Sequence, residues 1–209
     1  MKKFLTVSLT AVSTMLLLTA TAQAEMIKLS EVGVDPSELV GIKGVVNAYG
    51  YAGQYKLKTV DNEILDAFCV DPQYSTPNKF FNYEVTEVTG KYAKAAWLWE
   101  NMSTLGNDAV ATQIAIWEVT WENEYNVANL GTGNFILSSA TTATRTTAIS
   151  MLNQLASADL SSFSTEGYRI VKSPYTQDYL IRHSVPEPGS LLMMLIGAVC
   201  LVGYRRKFR

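Results

Sequence analysis

Tyr55-Lys56-Leu57-Lys58-Thr59-Val60-Asp61-Asn62-Glu63-Ile64-Leu65-Asp66-Ala67-Phe68-Cys69-Val70 reads as two strands and the turn between them. Polar and apolar residues alternate up to Val60, Asp61-Asn62 supplies the turn, and residues 63–70 return. Ile64, Phe68 and Val70 fall on one face of the returning strand, with Leu65, Ala67 and Cys69 on the other. Asp71-Pro72 ends it, because proline cannot donate to a central ladder. Cys69 therefore sits at a strand end, held rigidly but within reach of a neighbouring element.

Upstream, Gly41, Gly44, Gly50 and Gly53 punctuate a Val- and Tyr-rich run, which predicts short strands with bends. Downstream, Tyr92, Ala95, Ala96, Trp99 and Met102 recur at helical spacing over residues 91–102. Gly106-Asn107-Asp108 breaks and caps, and a second helix is predicted from about Ala109 to Glu124. Gly131-Thr132-Gly133-Asn134 reads as a loop and Ser138–Ala158 as a third helix, buried along Ala148, Met151, Leu152 and Leu155. Tyr168–Lys172 and Tyr179–Ile181 form a closing hairpin. This order predicts an α+β fold: short antiparallel strands in a sheet or sandwich, an inserted helical segment, and a C-terminal hydrophobic helix.

The two ends of the 209-residue chain are unlike its middle. Residues 1–24 combine Lys2-Lys3, an apolar stretch and an Ala22-Gln23-Ala24 cleavage site, so they read as a secretory signal peptide cut after Ala24. Near the other end, Leu191 to Tyr204 is largely apolar and is followed by Arg205, Arg206, Lys207 and Arg209. At about 1.5 Å per residue that run spans roughly 21 Å, and its basic end prefers the cytoplasmic side of a membrane. Between the ends, residues 25–185 carry 11 basic and 18 acidic side chains, an acidic surface with no affinity for nucleic acid. The expected division is signal peptide 1–24, exported domain 25–182, and linker with sorting segment 183–209.

The order Pro186-Glu187-Pro188, apolar run, basic terminus resembles the PEP-CTERM sorting signal of Gram-negative bacteria. The resemblance implies processing by an exosortase-type membrane peptidase. It also implies transient anchoring in the inner membrane, then residence at the cell surface or in an exopolysaccharide matrix.

Within the exported domain Cys69 is the lone thiol, since Cys200 lies in the hydrophobic tail. Four readings are open for it: an inert buried thiol, an intermolecular disulfide, a nucleophile, or a thiol committed to another covalent bond. A hydrolase needs a base, and the one histidine is His183, in the approach to the sorting motif. One His and one exported Cys make no zinc site, and no phosphate-loop or dinucleotide fingerprint is present, so no cofactor is expected.

The second predicted helix carries an apolar stripe of Val110, Gln113, Ile114, Trp117 and Trp121, with Glu118 and Glu122 expected on the opposite, solvated side. Gln113 stands where an apolar residue is called for. A buried carboxamide costs about 1–3 kcal/mol unless its hydrogen bonds are met. One reading is that Gln113 satisfies loop backbone; another is that it reacts with Cys69.

Phe68-Cys69-Val70-Asp71-Pro72 and Thr112-Gln113-Ile114-Ala115-Ile116-Trp117, with Trp97-Leu98-Trp99 between them, resemble the paired motifs of bacterial Cys–Gln thioester domains. These are surface adhesin modules. The resemblance implies Cys69 as the thiol and Gln113 as the acyl donor of an internal thioester, with Trp117 shielding the bond from water. It implies covalent attachment to an amine or hydroxyl of a surface protein or polysaccharide, in single-turnover chemistry that is not enzymatic. Two other functions are weighed beside it: a non-covalent exopolysaccharide matrix protein with a free Cys69, and an exported hydrolase using Cys69 and His183.

Overall fold

A computed structural model describes residues 25–44, 46–72, 78–122 and 130–183. The signal peptide with Ala24, the Pro186-Glu187-Pro188 motif and the hydrophobic C-terminal segment lie outside these residues.

Seven strands make one antiparallel sheet: β1 (Met26–Gly44), β2 (Ala48–Thr59), β3 (Ile64–Cys69), β4 (Phe81–Glu87), β5 (Phe135–Ser139), β6 (Tyr168–Lys172) and β7 (Tyr179–Arg182). The helices are α1 (Lys91–Glu100), α2 (Ala109–Trp121) and α3 (Thr142–Ser157). The sheet runs β2-β3-β7-β6-β4-β1-β5, and β1 also pairs with β2. Leu29 of β1 is opposite Thr59 of β2 and opposite Phe81 of β4, so six strands close into a ring with β5 appended to the far end of β1. Closure removes most free strand edges.

The α+β expectation is overturned. The fold is mostly β, a single ring-closed sheet carrying three helices, and the sheet holds more of the chain than the helices do. Most of the difference lies in β1, a 19-residue strand of which only the last residues fall in the run predicted as short strands, and in β4 and β5, for which no strand is predicted. Gly41 and Gly44 lie in one continuous strand, whose irregularities fall elsewhere, where its register against β2 shifts between Glu31 and Gly33 and between Val34 and Ser37. The predicted third helix begins too early: residues 138 and 139 close β5, and Thr141 caps α3 by accepting from the Thr144 N–H at 3.2 Å. The β2–β3 turn and the closing β6–β7 pair stand as expected.

Helix α2 packs on β1, β2, β3 and β5 on one side and on α1 and α3 on the other. Twelve of its thirteen residues are buried, so it is a core helix rather than an amphipathic surface helix. Asp108 caps its start by accepting from the Ala111 N–H at 3.0 Å. Phe68 meets Trp99 of α1 edge-on at 5.1 Å, and Trp117 of α2 lies 6.0 Å from Phe135 of β5.

Gly44 ends β1 at φ 108°, and a Cβ there would collide with the Asn134 carbonyl just before β5. Only glycine tolerates both conditions. Gly44→Ala is expected to lower stability by at least about 2 kcal/mol in denaturant unfolding. An unchanged midpoint would show that the β1–β5 junction relaxes freely.

Candidate functional site

Strand β3 is paired on both sides only as far as Ala67, which faces Tyr55 of β2 and Ile181 of β7. Two residues on, Cys69 still faces Tyr179 of β7. Continued, the β2 register would bring Gly53 opposite Cys69, but the β2–β3 pairing ends at Tyr55 and Ala67, and Gly53 is paired only on its other edge, with Ser37 of β1. The Cys69 peptide groups on that side thus have no strand to bond.

Gln113 fills the gap. The Cys69 N–H donates to Gln113 Oε1 at 2.9 Å, and Gln113 Nε2 donates to the Cys69 carbonyl at 2.7 Å. The carboxamide acts as a substitute peptide group at the end of the ladder, and both residues are fully buried. The structure therefore brings together the two residues singled out from sequence, 44 positions apart. The next residue is held by the same helix: the Val70 carbonyl accepts from Trp121 Nε1 at 3.2 Å and Thr120 Oγ1 at 3.3 Å. Thr120 was not foreseen, because a helical threonine gives no sequence signal of a contact with a remote strand.

Trp117 lies one turn beyond Gln113 and is buried, with an indole N–H that has no hydrogen-bond partner. The Cys69 thiol is free, and burial pushes its pKa well up, an effect eased by the nearby Trp117 indole and the Asp71 backbone. Tyr55 is likewise held well above its usual range by burial and then by the charge a Cys69 thiolate would carry. The tyrosines around the thiol form a cluster, Tyr179 lying 5.4 Å from Tyr55 and 6.2 Å from Tyr83.

His183 lies away from this site. It stands four residues beyond Tyr179, about 13 Å along the chain at strand rise, and its Nε2 is 3.9 Å from Glu25.

Glu118 is not on a solvated face. It is fully buried in α2 with both carboxylate oxygens unpartnered, and burial, then the neighbouring Glu122, raises its pKa to about 8. Glu122 is half-buried and accepts from the Phe135 N–H at 2.6 Å, tying the end of α2 to β5.

Beside the Cys69 end of β3 a cleft of about 250 Å³ is lined by Val70, Asp71, Lys91, Tyr92, Trp121 and Asp178. Lys91 donates to the Thr120 carbonyl across it, and burial raises the Asp178 carboxyl above its usual range. Among the described residues no helix is long and apolar enough to cross a membrane.

Comparison with known proteins bears on the end of the chain. Residues 184–207 match the PEP-CTERM protein-sorting motif. The chain carries an exosortase sorting signal. It is thus an exported protein, transiently anchored in the membrane and recognised by an exosortase. No curated protein and no solved structure matches the chain.

Two outcomes follow from the buried polar groups of α2. Gln113→Ala strands the Cys69 N–H and carbonyl and leaves a cavity, so it is expected to cost about 2–4 kcal/mol in denaturant unfolding. A loss below about 0.5 kcal/mol would mean that the strand end finds other partners.

For Glu118 the folded pKa is raised, so the unfolded chain releases the proton first. Stability is fullest below the ordinary carboxyl value and falls by up to about 1.4 kcal/mol per pH unit towards pH 8. The Asp178 shift has the same sign. Glu118→Gln is expected to flatten most of that decline in melts between pH 5 and 8.

Proposed function

We propose that this PEP-CTERM protein is a covalent attachment module, in which Cys69 and Gln113 condense to an internal thioester that a partner's nucleophile opens. The observation that carries the reading is the buried two-point bond between the Gln113 carboxamide and the Cys69 main chain. It holds the Gln113 carboxamide against the main chain of the residue that carries the one thiol of the exported domain.

In the first step the Cys69 sulfur attacks Gln113 Cδ. The Sγ–Cδ bond forms, the Cδ–Nε2 bond breaks, and the thiol proton leaves with the nitrogen as ammonia. The Cys69 N–H already donates to Oε1, so it is placed to stabilise the oxyanion of the tetrahedral intermediate. Complete burial of both groups keeps water from the acyl carbon.

In the second step an amine or hydroxyl attacks the same carbon. An amide or ester bond to the partner forms, the Cδ–Sγ bond breaks, and the nucleophile's proton ends on the sulfur. The cleft at Val70, Asp71 and Trp121, beside the Cys69 end of β3, offers an approach for that nucleophile. Each chain reacts once, so the protein is a reagent rather than an enzyme. The partner is a surface protein or a polysaccharide, met at the cell surface or in the extracellular matrix.

Intact mass of the purified exported protein tests the reading. The mass should lie about 17 Da below the sequence value, and methylamine should then add about 31 Da and release one titratable thiol. Cys69→Ala should abolish both changes. A plain sequence mass in freshly prepared protein, with methylamine adding nothing, would sink the thioester and leave a non-covalent matrix protein with an inert Cys69.

A further inference from the structure

We propose that the Trp117 indole N–H is the donor that receives the negative charge on the Cys69 sulfur, both as the thioester forms and as it opens. This rests on the thioester reading above and names the group that makes the sulfur usable. In the first step the sulfur must shed its proton to attack Gln113 Cδ. In the second it must leave Cδ with the bonding pair. Both steps place charge on a fully buried atom.

Among the described residues, Lys91 in the neighbouring cleft is committed to the Thr120 carbonyl, and no cation stands among the groups that bear on the sulfur. The titratable groups that bear on the sulfur are Glu31 on β1, Tyr55 on β2, Tyr83 on β4 and Asp71 just past β3, all of them neutral or anionic. A hydrogen-bond donor must do the work instead. Most nearby donors are committed: the Cys69 N–H to Gln113 Oε1, Gln113 Nε2 to the Cys69 carbonyl, and Trp121 Nε1 to the Val70 carbonyl.

Trp117 Nε1 is not committed. It is buried without a partner, and an orphaned N–H costs about 1–3 kcal/mol. Its side chain is one turn beyond Gln113, and helical side chains lean towards the N-terminus, so the indole lies over the Gln113 turn. Packing against Phe135 fixes the ring. A donor that is orphaned in the resting thiol state and satisfied only when the sulfur is charged favours the reacting state over the ground state. Shielding by bulk alone needs no N–H at this point.

The test uses the full exported protein carrying Trp117→Phe, which keeps an aromatic ring and removes the N–H. A second version replaces Trp117 by benzothienylalanine, an indole isostere with sulfur for N–H. Methylamine capture and thiol release are followed by mass and thiol titration across pH, with thermal melting as the measure of folding.

Expected is at least a tenfold slower capture in both variants, with the pH profile displaced upward and melting of the isostere close to that of the parent. Tyr83→Phe, which removes the other orphaned buried donor near the sulfur, should slow capture less than twofold. A parent-like rate and pH profile in the isostere would overturn the assignment to Trp117 while leaving the thioester intact, as would an effect confined to Tyr83→Phe. A parent protein with no mass deficit and no methylamine adduct would overturn the thioester reading and this assignment with it.

Discussion

Strand β2 lies between β1 and β3, paired with β1 along nearly its whole length and with β3 only from Tyr55 to Lys58. Its pairing with β1, which also joins β4, closes the ring of strands. Its pairing with β3 stops short of Cys69, and a buried strand end with open N–H and carbonyl groups is not tolerated. Gln113 supplies both missing bonds, and it does so from a helix. Helix α2 is therefore pinned against the sheet at Cys69 and again at Val70. Helices α1 and α3 cover its remaining surface, which is as apolar as the face turned to the strands.

The polar residues of α2 divide into two kinds. Thr112 and Thr120 bond back to the carbonyls of Asp108 and Ile116 at 2.8 and 2.9 Å, and Gln113 is satisfied by Cys69. These groups cost little to bury. Glu118 and the Trp117 N–H are buried without partners, in a helix whose remaining residues are mostly Ala, Val and Ile. Native cores keep few such groups, and here they lie within five residues of Gln113 on the same helix. Of the two, the Trp117 indole is the one that bears on the buried thiol.

Export places this thiol in a compartment where exposed cysteines oxidise or pair. Complete burial withholds Cys69 from other thiols, and its raised pKa keeps it protonated, so it persists where an exposed thiol would not. The PEP-CTERM motif directs where the domain goes, and in the proposed reading the buried pair supplies what it does there. These two parts of the chain are separate in sequence and make separate demands on it.

The address was legible in the sequence alone, because sorting signals are read as linear order: a Pro-Glu-Pro motif, an apolar run and a basic end need no folding to be recognised. The β2–β3 turn, the approximate span of α1 and α2 and the closing β6–β7 pair were also legible, since each follows from local periodicity and turn chemistry. So was the oddity of Gln113, which is a local break in an apolar pattern. The β character of the fold was not, because β1 acquires its continuity from pairing with β2, β4 and β5, against its own glycines and proline. Nor was the fate of Glu118: helical periodicity assigns one buried face, while α2 is covered on every side by distant elements. That Gln113 meets Cys69 was decided only where the β2–β3 pairing stops short of Cys69, a long-range constraint that no window of sequence contains.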